Sequence, residues 1–228
     1  MSAALPPTSK VEVAYETIRA GIESGDLKPG QEVPEAFLVD YVGLSRTPVR
    51  HALERLSGEG LVLTPPRATP TVSRLSIKGT RDLFEYRRML EPVAAGIVAV
   101  RARDDLAVAE EFASFRLAFE TFRDAGAQTD ASDVQEHAEG FDRAIINRID
   151  NTYLTRQLQE LRSHTKRLRG IAHRTPGRSA EMLGDHVAVA SLIEAGNEQG
   201  AADAMRTHLL HVEKSIFQSL VQLDHVEM

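Results

Sequence analysis

The sequence predicts a mainly helical protein in two parts: an N-terminal unit of three helices plus a small β-hairpin, then an antiparallel all-α helical bundle. Three observations predict it. Apolar residues recur at helical spacing through most of the chain. A proline-rich stretch at residues 64–72, "TPPRATPTV", breaks that pattern between two short apolar runs. Beyond about residue 75 the periodic segments lengthen and strand signals nearly vanish.

In the first part, Val11, Ala14, Tyr15, Ile18 and Ile22 share one helical face. "SGDLKPG" ends that helix with turn chemistry. A short helix over about 34–42 follows, carrying Leu38, Tyr41 and Val42. The third helix opens in "SRTPVRHALERLSGEGLV", residues 45–62. Ser45 or Thr47 supplies the N-cap, and Pro48 suits the first turn. Val49, Ala52, Leu53 and Leu56 form the inward stripe, which leaves Arg46, Thr47, Arg50 and His51 outward. "LVLTPPRATPTVSRL" reads as two short strands with Arg67 at the tip. Helix, helix, turn, helix, hairpin is the order of a winged helix-turn-helix.

That order gives the arginines a use. Arg46 and Arg50 lie on one exposed face at the helix end that enters a major groove in such folds. Guanidinium forks match guanine O6/N7 or phosphate oxygens. Arg67 is placed to reach the DNA backbone or minor groove. Net charge is −6, and acidic side chains slightly outnumber basic ones up to residue 75, so the DNA contact must be a focused patch.

The second part carries six periodic segments, at about 78–101, 106–122, 130–149, 152–171, 179–194 and 201–222. Pro92 falls inside the first, where a bend is expected. Three polar groups fall on apolar stripes: Asp142 among Ala138, Phe141, Ile145 and Ile149; His186 among Leu183, Ala190 and Ile193; His208 among Ala201, Met205 and Val212. His211 and His137 point elsewhere. Buried polar groups are costly unless satisfied. Two arrangements satisfy these: a divalent metal such as zinc, nickel or manganese on Asp142, His186 and His208, or a hydrogen-bonded polar pocket.

The residues "IRAGIESGDLKPGQEV" and "LSRTPVRHALERLSGEGLV" resemble the winged-helix domain of the GntR family of bacterial transcription regulators. From "RDLFEYRRMLEPVAA" to "AMRTHLLHV" the chain is similar to the FCD-type helical effector domain of the FadR subgroup. The resemblance implies that Arg46 and Arg50 contact operator DNA, and that the helical domain binds a small ligand and dimerises. It implies a cavity-facing role for Arg87. It also implies a divalent metal held by an aspartate, a histidine one turn later and two later histidines. His186 and His208 match the last two positions, whereas Ala138 and Asp142 stand where the first pair belongs. Ala36 replaces a DNA-contacting arginine, and the wing tip lacks the usual glycine.

The expected organisation is a flexible arm over 1–10, a DNA-binding domain over 11–75 and a ligand-binding, dimerising domain over 76–228. The expected function is a ligand-responsive regulator, a repressor that binds a two-fold operator as a homodimer. An organic acid is the expected effector, with Arg87, Asp142, His186 and His208 around it. A metal-dependent hydrolase would leave "SRTPVR" unexplained, and a bare dimerisation module would leave the wing unused. The chain has no cysteine, which excludes disulfides and thiol catalysis. It has no apolar run near the roughly 20 residues that span a bilayer. A cytoplasmic, membrane-free protein is the expectation.

Overall fold

A computed structural model of the chain describes residues 9–172 and 179–220. Most of the expected N-terminal arm, residues 1–8, lies outside them. The described residues divide into two compact units, one of residues 9–76 with 163–170, the other of 77–162 with 171–172 and 179–220.

The first unit is a winged helix-turn-helix. Helix α1, Lys10–Ser24, starts where Ser9 caps the Glu12 amide at 3.1 Å and ends at Gly25, whose φ of 85° only glycine adopts cheaply. Helix α2 is Glu35–Val42. Gly43, with φ 72°, closes it by donating its N–H to Val39 O, and α3, Arg46–Gly58, follows. Ser45 is the N-cap of α3 by position, but its side chain makes no capping bond. Strands β1, Val62–Leu63, and β2, Thr71–Val72, pair antiparallel, with Val62 opposite Val72. Ile18, Leu38, Val49, Ala52, Leu56, Leu61 and Val72 are fully buried and hold the unit together. Residues 163–170 belong to this unit, where His164 Nε2 donates to the Glu59 carbonyl at 2.9 Å.

The second unit is built of helices. Helix α4, Ile77–Asp104, runs 28 residues with Pro92 inside it. Helix α5, Leu106–Ala125, is capped by Asp105, and α6, Ala131–Asn147, by Asp130. Residues 152–162 of α7, Thr152–Ala172, with α8, Ser179–Glu194, and α9, Glu198–Leu220, complete it, while residues 163–170 of α7 belong to the first unit. Ala95, Val98, Phe112, Phe119, Phe141, Ala190, Ile193 and Leu209 form its core. Phe119 meets Phe141 edge to face at 5.6 Å, and Phe112 meets it at 5.7 Å. This aromatic floor positions the histidines described next.

Candidate functional site

The α3 stripe buries Pro48, Val49, Ala52, Leu53 and Leu56. The same period turns Arg46, Thr47, Arg50 and His51 to solvent. Arg46 has no ion-pair partner among the described residues. Arg50 does: its Nε and Nη2 donate to the two oxygens of Glu35 on α2, both at 3.2 Å. The sequence gives no sign of this pair, because Glu35 sits on another helix. Arg67 lies exposed at the wing tip with φ 61°, the left-handed region. Its neighbours explain the backbone. Ala68 N bonds Pro65 O at 3.2 Å, so Pro66 and Arg67 are the central residues of a turn whose third position needs positive φ. An arginine therefore occupies a conformation that favours glycine.

In the second unit the aromatic floor carries two imidazoles. His186 and His208 are 3% and 5% exposed, with ring centroids 4.6 Å apart and planes at 65°. His186 packs on Phe119 at 4.7 Å and on Phe141 at 5.8 Å. Its Nδ1 donates to Met182 O at 2.8 Å, since a carbonyl can only accept. Asp185, immediately before His186 in α8, accepts from His211 Nδ1 at 2.9 and 3.1 Å, and His208 Nδ1 stands 3.6 Å from it. Burial alone would raise the Asp185 carboxyl. The imidazoles of His208 and His211 outweigh that and hold it below the ordinary carboxylate range. Sequence periodicity missed Asp185, whose partners lie on α9.

Arg87 is 2% exposed. It forms a salt bridge within α4: Nε and Nη2 donate to Glu91 at 2.6 and 3.1 Å. Its Nη1 is buried and makes no hydrogen bond among the described residues. Asp142 is half-buried and is not without a partner. His137 is exposed and meets Phe122 edge-on at 4.9 Å, outside the core.

The donor set tests the expected metal. A ligating histidine characteristically donates its other N–H to a carbonyl, as His186 does. A structural or catalytic site still needs at least three protein ligands converging. Among the described residues no group of three or more His, Asp or Glu side chains is placed to hold a metal ion. Asp142, His186 and His208 therefore do not assemble as the expected zinc, nickel or manganese site. Ala138, at the position where the resemblance implies an aspartate, is buried and offers no ligand atom.

An arginine-tipped helix on a winged helix, followed by a helical domain with buried polar groups, defines a class: DNA-binding regulators with a separate sensing domain. Residues 10–72 match the gntR family of bacterial regulatory proteins, and residues 82–211 match the FCD domain. The chain belongs to the GntR family of transcriptional regulators and carries an FCD effector-binding domain. It is similar to the HTH-type transcriptional regulator YdhC of Bacillus subtilis, 22% identical over 206 residues that cover 90% of each chain. It is also similar to the Nta operon transcriptional regulator of Aminobacter aminovorans, 26% identical over 85% of this chain and 86% of that one. The fold of E. coli McbR/YncC superposes with a TM-score of 0.75 at 20% identity, over 92% of this chain and 98% of that one. Both of these relatives are transcriptional regulators by name. No described helix is long and apolar enough to cross a membrane.

Proposed function

We propose that the protein is a repressor that binds a two-fold operator as a homodimer and releases it when a small carboxylate enters the helical domain. One observation carries the DNA half. Arg46 and Arg50 are exposed one turn apart at the start of α3, the end that meets base edges in this fold. Thr47 adds a hydroxyl beside them, and Arg67 extends the cationic surface to the wing. With a net charge of −6, DNA binding has to draw on a local cationic patch of this kind.

The effector half is supported by Arg87. Its buried Nη1 retains a donor that a carboxylate would satisfy. In this reading Asp142, His186 and His208 line the effector site and serve the organic acid rather than a metal. The two-fold half is supported by α4, where Tyr86, Met89 and Val93 recur at i, i+3 and i+7 while 38%, 58% and 50% exposed. An apolar face of that kind suits a second copy.

An effector shifts DNA affinity only by binding one arrangement of the protein better, with a coupling of about 1–3 kcal/mol as the usual range. The test is a thermal-shift screen of mono-, di- and tricarboxylates on wild type and Arg87→Met. A hit should stabilise wild type, lose its effect in Arg87→Met and dissociate the DNA complex. If no organic acid stabilises wild type, or a hit acts equally on Arg87→Met, the effector half fails.

A further inference from the structure

We infer that Glu35 is a positioning residue for DNA reading: it grips one edge of the Arg50 guanidinium and presents the opposite edge to a base pair. This rests on the assignment of α3 as the recognition helix. A guanidinium has two usable edges, one of Nε and Nη2, the other of Nη1 and Nη2. Glu35 takes the first with both carboxylate oxygens, at 3.2 Å each. The second edge has no partner among the described residues. That free edge carries two parallel N–H groups, the pattern that bonds guanine O6 and N7 together. One side chain can thus serve Glu35 and a guanine at once.

Stability does not explain the pair. The Arg50 and Glu35 side chains are 62% and 36% exposed, and exposed ion pairs contribute little to folding. Orientation does explain it. A free arginine loses rotamer freedom when it docks, whereas a bridged one has already lost it. The carboxylate also repels phosphate, which steers Arg50 from the backbone toward the base edges and weakens non-specific binding. Arg46 has no ion-pair partner among the described residues, so the two arginines are not equivalent. Arg50 is the pre-set reader, and Arg46 is the adaptable contact. Ala36 fits this division, because α2 contributes the carboxylate that aims an arginine of α3 rather than an arginine of its own.

The experiment is selection of bound duplexes from a randomised double-stranded library by the full-length protein. Wild type, Glu35→Ala, Glu35→Gln, Arg50→Ala and the Glu35→Ala/Arg50→Ala double variant are compared by sequencing the bound pools. Wild type should enrich a guanine that Arg50→Ala no longer selects, by about tenfold or more for a bidentate contact. Glu35→Ala should lose most of that preference while binding random duplex at least as well as wild type. Glu35→Gln, which keeps the shape but not the charge, should fall between them. The double variant should select as Arg50→Ala does. Unchanged guanine enrichment in Glu35→Ala would overturn the inference alone. So would a Glu35→Ala effect that persists without Arg50, since Glu35 would then contact DNA itself, for example a cytosine amino group. A wild type that enriches no sequence would overturn the recognition-helix assignment as well. Thermal unfolding of Glu35→Ala within a few degrees of wild type confirms that the change is not one of folding.

Discussion

Glu91→Ala should destabilise the helical domain far more than an ordinary surface change, and the reason is Arg87. The Arg87 side chain is 3% exposed, and both of its charge-assisted bonds go to Glu91, whose side chain is 19% exposed. Nη1 already lacks a hydrogen bond among the described residues. Removing Glu91 leaves a buried cation without its carboxylate. Breaking a fully buried pair costs about 3–5 kcal/mol. Water reaches Glu91, which lowers the expected loss to about 2–4 kcal/mol. For a protein of this size that is a fall in Tm of about 5–15 °C. Calorimetry or circular dichroism at 222 nm reads it, and calorimetry also resolves the two units if they unfold separately. Removing the charge as well, in Arg87→Met/Glu91→Ala, should recover most of the loss, because no unpaired ion remains. A single variant within ~1 kcal/mol of wild type would refute the reasoning, since it would mean that Arg87 is solvated or neutralised elsewhere.

Three further outcomes are expected. Arg67→Gly relieves a left-handed arginine by about 1–2 kcal/mol, offset by about 0.4–1 kcal/mol of added unfolded-chain entropy, so thermal stability should hold or rise slightly. Its DNA binding should weaken and lose about one unit of salt slope; equal binding at all salt concentrations would remove the wing from the interface. Burial lowers the His164 pKa, opposed by its bond to the Glu59 carbonyl, so the unfolded chain binds more protons below its ordinary value of about 6.5. Stability should therefore fall as pH drops from neutral through that value, and His164→Gln should flatten this part of the Tm profile; an identical profile in the variant would contradict it. Incubation with zinc, nickel or manganese and then desalting should leave well below one metal ion per chain by elemental analysis. A stoichiometric load that His208→Ala abolishes would restore the metal centre.

What was legible in the sequence follows from periodicity. A 3.6-residue repeat states which way a side chain faces, so the outward Arg46 and Arg50 and the inward His186 and His208 could be read directly. Periodicity says nothing about which groups on different helices meet. Glu35 and Asp185 escaped for that reason: each is one charge on a mixed face, and its partner sits on another element. Asp142 was legible as inward but lies only half-buried, because it stands at the edge of the stripe that Phe141 and Ile145 centre. The Arg67 backbone was missed from composition alone. A proline-rich tip without glycine gives no warning that one residue must take positive φ, although Pro66 before it favours that turn.

The central claim is that Arg46 and Arg50 on α3 give this regulator sequence-specific DNA binding. Fluorescence anisotropy tests it most directly, with a labelled duplex drawn from the selected pool and a scrambled duplex of equal length, at fixed physiological salt. Wild type should prefer the selected duplex by about a thousandfold or more, the lower range for specific regulators. The Arg46→Ala/Arg50→Ala variant, folded as wild type by circular dichroism, should lose all but about tenfold of that preference. A variant that keeps the full wild-type preference would contradict the account.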